Sequence, residues 1–513
     1  MPWSTLPTEL QLTVLEHLAQ LEFQTRITHK PNAPYSIGTS LSRYVTVSEQ
    51  WQDFFEPRIM DTLHVTRNDM ETFAHVFRIE RRRKYLRQIA LVIRLPDDFP
   101  PFRMREEWEE SFIIDVLLEA DLIDLVNRFG LPPGSREVKN NVALLETIYD
   151  LFVQLSTWNM EHVRSGGIGL ELLADSKNSW QVIAPQLTAF QRAIDFDGHS
   201  IGTAEQQWLI EFALDNFNMY LGFEVEGYQG PALELPTVDV VTSLSIMRRS
   251  RRRFDGVVVL ELMERLPALK HLVWEMEPMR PQSREKLLQY HLSDAVVRWP
   301  RHVDSIQIVL LQHHIEYPRL DPDSKMIQRL PLILADQAQF LRHIYINFPI
   351  DASHFFKRVV KGIYPTLQTL TIWSTQRIVE RTPSTSHYLL RLVIRALLRM
   401  SNMQFLTVYN MKSSDAGLFN YDASGNLSGH GSFYRLCSSW GWEMSDEMDE
   451  FLSASVLQKE NRGASSKVEE LSTKEVKSLI SAVLKKSEAM GRVNQGVGIS
   501  KCVVESMKGL FVS

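Results

Sequence analysis

Few residue groupings in this chain have the spacing to do chemistry, and each fails on geometry. The cluster Gly166-Gly167-x-Gly169 could cradle a phosphate, but it fits neither GxxxxGK[ST] nor GxGxxG. Asp195-x-Asp197-Gly198 falls on positions 3, 5 and 6 of an EF-hand loop, yet the residues that should supply the first and last oxygens are Ala193 and Ala204. His313 and His314 are adjacent, so on a strand they point to opposite faces and do not share a metal. HExxH is absent, and Gly425-Asn-Leu-Ser428-Gly429 has one residue too many between its first glycine and the serine for a GxSxG nucleophile elbow. Cys437 and Cys502 lack a CxxC partner and read as ordinary thiols. Two basic runs, Arg81–Lys84 and Arg248–Arg253, are candidates for nucleic-acid contact or nuclear import. Both flank strand candidates without interleaved aromatics, which favours a solvated edge or a face for an acidic partner. No catalytic residue, metal ligand or cofactor is assigned.

Composition points the same way. The 513 residues carry 56 Lys and Arg against 62 Asp and Glu, a formal charge of −6 with a pI near 6.2. Nucleic-acid binders are usually basic, so no nucleic-acid partner is expected. With 44% apolar and 23% charged residues the chain can bury a large core, and two cysteines exclude a disulfide framework. The opening MPWSTLPTEL lacks the basic and apolar regions of a signal peptide. The most apolar stretches, 111–126 and 388–400, are broken by Asp115, Glu119, Asp121 and Asp124, and by Arg391 and Arg395. The expected location is cytoplasmic, nuclear or both, with no membrane partner and with the sequon at Asn426 unused.

The elements that would position any site begin with a helix over 6–21. It enters through Leu6-Pro7 and carries Leu10, Val14, Leu18 and Leu21 as one stripe. Residues 24–40 read as a loop, and a second apolar helix pattern runs from Leu41 to Phe55. Farther on, 83–95 and 167–174 are strand candidates and 105–129 and 137–158 are helical. From about 240, six segments share the form apolar-x-x-apolar-x-apolar, with middle residues Leu244, Leu272, Ile306, Ile344, Leu370 and Leu406; Leu86/Ile89/Leu91 is an earlier copy. Helical patterns at 257–265, 284–298, 327–341, 352–361 and 387–400 separate most of them.

Short strand, helix, short strand at an irregular period is an α/β, leucine-rich-repeat-like solenoid. An ordinary α/β domain with parallel strands gives the same alternation. In the solenoid, the residues between the apolar positions project onto a concave face. That nominates Gln307, Val309, His343, Tyr345, Asn347, Thr369, Thr371, Trp373, Thr407 and Tyr409 as target contacts, with Trp373 and Tyr409 as exposed anchors. The other reading packs both aromatics beneath a C-terminal hairpin at 411–445, turning at 423–426. Residues 455–470 read as loose and polar, and Ser472 with Glu475 caps a short helix of Val476, Leu479, Ile480 and Val483.

The segment Leu6-Pro7-x-Glu9-Leu10-x-x-x-Val14-x-x-x-Leu18, followed by SRYVTVSEQWQDFF at 42–55, resembles the two halves of an F-box. LSTW (155–158), GLELLAD (169–175) and the later strands extend the likeness to filamentous-fungal F-box-like proteins with leucine-rich-type C-terminal regions. The resemblance implies a helical module at 1–63, a repeat array at 64–410 and a C-terminal hairpin and tail at 411–513. It implies docking on a Skp-type adaptor, and through it a cullin, by Leu6, Pro7, Leu10, Val14, Leu18, Trp51 and Phe55. The array would then recruit an unknown target as the substrate-recognition part of a ubiquitin ligase. Alternatively, the N-terminal stripe packs on the chain's own first repeat and merely caps the solenoid. The loop at 24–40 is longer than in compact F-boxes, and residues 446–513 match no familiar pattern.

Overall fold

The computed structural model describes residues 3–29, 41–96, 133–175, 220–221, 234–246, 253–276, 292–310 apart from 294, 325–376, 383–411, 416–423, 433–438 and 465–470. The motif candidates at Asp195/Asp197, His313/His314, Gly425–Gly429 and Cys502, and the helices expected at 105–129 and 472–483, lie outside these residues. So does most of the second basic run.

Helix α1 (Thr8–His29) starts behind Pro7, whose carbonyl accepts from the Leu10 and Gln11 N–H groups at 3.0 Å. It continues past the expected stop at 21, because nothing from Leu21 to His29 is Gly or Pro. Pro31 then makes helix unfavourable for the residue before it. Helix α2 (Glu49–Met60) is capped by Ser48, whose Oγ accepts from the Trp51 N–H at 3.4 Å. Strand β1 (Thr62–Thr66) follows after a single residue, Asp61.

From there strands alternate with helices: α3 (Met70–Val76), α4 (Glu80–Arg83), β2 (Gln88–Arg94), α5 (Pro133–Leu155), β3 (Ile168–Asp175) and β4 (Val241–Ile246). Next come α6 (Gly256–Glu264), β5 (His271–Met276), β6 (Ser305–Leu310), α7 (Lys325–Gln337), β7 (His343–Ile350) and α8 (Ala352–Val359). The series closes with β8 (Thr369–Ser374), α9 (Pro383–Leu397), β9 (Phe405–Met411), β10 (Ala416–Asp422), β11 (Phe433–Ser438) and β12 (Ser465–Glu470). Part of the stretch expected to be loose, 465–470, is thus a strand.

Strands β1 to β12 form one open sheet in strict chain order, and two further short strands, Tyr220–Leu221 and Arg253–Phe254, pair separately in parallel. Neighbours are parallel from β1 to β9; β10 and β11 each run antiparallel to the strand before, and β12 is parallel to β11. A doubly wound sheet reverses its strand order at a switch point. A one-way order with crossovers of the usual hand returns every connection over the same face.

Register explains the repeated motif. Leu244, Leu272, Ile306, Ile344, Leu370 and Leu406 oppose one another across six successive strands. Ile246, Trp274, Ile308, Ile346, Ile372 and Val408 form a second row two residues on. Leu63, Ile89 and Leu170 extend the first row toward the N-terminus, and Val65, Leu91 and Leu172 extend the second. Both rows pack with Ile148 and Phe152 of α5, Val259 of α6, Leu334 of α7, Phe355 and Phe356 of α8 and Val393 of α9 in one core. Each such aliphatic side chain, fully buried, stabilises by about 1.5–3 kcal/mol.

The glycine cluster belongs to this packing. Gly167 has φ +74°, and a Cβ there would lie 2.3 Å from Thr242 Cγ2 and 2.9 Å from the Val240 carbonyl oxygen. A Cβ on Gly169 would meet Ser243 Oγ at 2.9 Å. These glycines let β3 approach β4, so their spacing serves sheet packing.

Candidate functional site

The N-terminal helices build a small core of their own. Leu15, Leu41 and Phe55 are buried, with Trp3, Leu18, Ala19, Tyr44, Val45, Trp51, Phe54 and Ile59 packed around them. Trp51 lies 5.5 Å from Trp3 and 5.9 Å from Phe55, ring centre to ring centre. Gln11 fastens the chain start: its Nε2 donates to the Trp3 and Leu6 carbonyls at 2.9 Å, and its Oε1 accepts from Gln50 Nε2. Trp3 Nε1 donates to Gln50 Oε1 at 2.9 Å, so the two helices are stitched through amide side chains. Neither glutamine stood out in the sequence, because a polar residue beside a leucine stripe looks like a solvated flank.

The seven expected docking residues divide between two faces of α1 and α2. Pro7, Leu10 and Val14 are exposed, with Leu10 at 51% and Val14 at 46%. Leu6, Leu18 and Trp51 are half-buried, and Phe55 is wholly buried, so Phe55 is a core residue and not a contact surface. Leucines four apart drift by about 40° around a helix at 3.6 residues per turn. The stripe therefore rotates from solvent at Leu10 into the core near Leu18, and the inward line is Gln11, Leu15, Leu18 and Ala19. Leu12 at 46% and Val47 at 56% add to the outward apolar surface.

A buried carboxylate ties these helices to the array. Glu56 of α2 is 2% exposed; its Oε1 accepts from Arg82 Nε at 2.7 Å and its Oε2 from Arg81 Nη2 at 3.1 Å. Arg83 lies over the Trp158 ring at 5.1 Å and donates to the Phe77 carbonyl at 2.8 Å. Arg82 and Arg83 of the first basic run are thus committed to internal contacts, while Arg81 and Lys84 stay exposed. Asp61, between α2 and β1, pairs with Arg87 at 2.9 Å while its carbonyl accepts from the Arg87 and Gln88 N–H groups.

On the array, the residues between the apolar rows make rows of their own. Ser243, His271, Ser305, His343 and Thr369 are directly opposed, as are Ser245, Val273, Gln307, Tyr345, Thr371, Thr407 and Asn420. The expectation that they stand exposed is corrected. Trp373 is 5% exposed and Tyr409 0%. Val309, Thr371 and Thr407 are fully enclosed, Gln307, His343, Tyr345 and Thr369 are buried, and Asn347 is half-buried.

Several polar groups of this face pair across strands, which makes their burial tolerable. His343 Nδ1 lies 3.0 Å from Thr369 Oγ1, Asn420 Nδ2 donates to Thr407 Oγ1 at 2.9 Å, and Tyr409 Oη donates to Asn347 Oδ1 at 2.5 Å. Trp373 and Tyr409 stack at 5.8 Å. His271 Nδ1 has no hydrogen-bond partner among the described residues. Burial lowers the His271 pKa to about 4, against the opposing charge of Asp304 and with smaller contributions from His343 and Lys270. His343 is lowered as well, by burial first and by Arg342.

Among the described residues no group of three His, Cys, Asp or Glu is placed to hold a metal ion, and no helix is long and apolar enough to cross a membrane. No curated protein matches the chain. Over residues 291–485, from just before β6 to beyond β12, the chain is similar to the family described as "Family of unknown function (DUF6546)".

Proposed function

We propose that the protein is a substrate receptor of F-box type, an interaction protein without chemistry of its own. Its N-terminal helices dock on a Skp-type adaptor, and through it a cullin, while a leucine-rich-repeat-like array recruits a target protein for ubiquitin transfer. One observation carries the docking half: Pro7, at the entry to α1, and Leu10 and Val14, on one side of it, stand exposed while the side carrying Gln11, Leu15 and Leu18 is locked into a core. Burying Leu10 and Val14 from their half-exposed state would add about 1 kcal/mol each, the scale of helix-in-groove recognition. The one-way strand order and the two apolar rows support the repeat reading. A receptor of this kind works in the cytoplasm or nucleus and raises the effective concentration of its target near the transfer machinery.

The test is capture of the full chain by purified Skp-type adaptor, with Leu10→Ala/Val14→Ala as the variant. Both residues are exposed, so its denaturation midpoint should match wild type, while adaptor affinity falls at least about tenfold, since 1.4 kcal/mol is one decade. Failure of wild type to bind, or equal binding by the variant, removes the adaptor reading. A second reading, an adaptor-independent scaffold capped by its N-terminal helices, is favoured by the Glu56 attachment. It requires that removal of residues 1–60 strongly destabilises the remainder while wild type ignores the adaptor.

A further inference from the structure

Helix α6 sends Val258, Val259, Leu260, Leu262 and Met263 inward and leaves three charged residues near its C-terminal end. Two ion pairs settle most of that charge: Arg265 Nη2 lies 3.0 Å from Glu234 Oε1, and Arg298 Nη2 lies 3.4 Å from Glu264 Oε1. Glu261, on the same helix, has neither an ion pair nor a side-chain hydrogen bond among the described residues. It lines a cavity of about 340 Å³ together with Thr237, Val257, Leu260, Glu264, Arg265 and Arg298.

We propose that this cavity binds an aliphatic cation, the ammonium or guanidinium end of a lysine or arginine side chain of a partner protein, with Glu261 as its counter-ion. Each rim arginine pairs with another carboxylate, and counted with Glu234 the site holds three carboxylates, Glu234, Glu261 and Glu264, against Arg265 and Arg298, an excess of one negative charge. An anion would have to break one of those pairs to find a partner. Leu260 is buried and Val257 is 49% exposed, an apolar wall that suits the methylene stem of a long cationic side chain. The volume sits at the lower end of small-ligand sites, enough for one such side chain and too small for a folded element. Burial raises the proton affinity of Glu261, ahead of an opposing effect from Arg265. A bound cation would oppose that rise by favouring the charged carboxylate, as Arg265 does in part. None of this depends on adaptor docking, since α6 lies in the array.

The experiment is ligand-observed saturation-transfer NMR on the full chain with three probes: n-butylammonium, Nα-acetyl-lysine N-methylamide and neutral n-butanol. The proposal expects saturable binding of both cations, none of the alcohol, and affinity lowered roughly fivefold in Glu261→Gln, the effect of losing one partly exposed ion pair. Glu261 is only half-buried, so Glu261→Gln should keep the wild-type denaturation midpoint, which separates lost binding from lost fold. Tighter binding of the lysine derivative than of butylammonium identifies a protein side chain as the occupant, and equal binding identifies a free amine. No saturable binding, binding of butanol equal to that of the cations, or an unaffected Glu261→Gln overturns the proposal.

Discussion

One carboxylate in the attachment of the N-terminal helices to the sheet can be removed cleanly. Glu56→Ala deletes the acceptor for Arg82 at 2.7 Å and Arg81 at 3.1 Å while creating a cavity of only a few atoms. Removing one member of a fully buried pair costs about 3–5 kcal/mol, and an exposed pair is worth about 0.2–1 kcal/mol. Glu56 is 2% exposed, but the Arg82 and Arg81 side chains are 21% and 49% exposed, so this network lies between those limits. Arg82 also keeps a bond to the Val76 carbonyl at 3.3 Å after the truncation, which softens the loss. A cost of about 2 kcal/mol follows, close to the net worth of charge-assisted hydrogen bonds. Urea denaturation of Glu56→Ala, Arg82→Ala and the double variant gives the coupling directly, with about 1.5 kcal/mol expected between the two sites. Amide hydrogen exchange should accelerate in parallel at Arg87 and Gln88, which bond to the Asp61 carbonyl at the end of α2. A coupling below about 0.3 kcal/mol, within the range of independent sites, would refute the idea that this pair fastens the two parts together.

Other outcomes follow from the packing. Trp373→Ala should cost about 3–5 kcal/mol in denaturant unfolding, as for a buried indole; a cost under about 0.5 kcal/mol is what an exposed anchor would give. Gly167→Ala should destabilise by about 2–3 kcal/mol, since its φ of +74° is unfavourable for alanine and the methyl would overlap Thr242. For His271 the folded pKa is about 4 against an ordinary 6.5, so the unfolded chain binds the extra proton between these values. Stability is therefore complete above pH 6.5 and falls as pH drops toward 4, by about 2 kcal/mol after allowing for residual exposure. His343 adds in the same direction, and His271→Asn should flatten the profile measured by urea midpoints across that range.

The half of the fold that faces the helices was legible in the sequence because apolar spacing reports which side chains share a face. The six middle residues, Leu244 to Leu406, fall into one row despite irregular spacing. The opposite face was not legible, because spacing carries no information about whether a second surface is covered. Thr371, Thr407 and Tyr409 looked like solvent-facing residues, and cross-strand bonds such as Asn420 to Thr407 are what make their burial tolerable. On α1 the motif Leu10/Val14/Leu18 located the helix, but the rotation of that line was hidden, and so was the inward role of Gln11. The run Arg81–Lys84 was legible in part for a related reason: its exposed ends fit the surface reading, but the inward turn of Arg82 could not be seen because its buried partner, Glu56, lies far off in sequence.

The aligned rows also bear on how such a chain can diverge. The middle residues are 28, 34, 38, 26 and 36 positions apart, yet every one stays opposed to the next. Unequal spacing between strands is therefore compatible with unbroken opposition of these middle residues, whereas a slip of one residue would invert inside and outside along the strand. Insertions and deletions in the connections are in this sense nearly neutral to the sheet, whereas one inserted residue within a strand is not. Lineages of this array are then free to diversify in loop length and composition while their strands stay in phase.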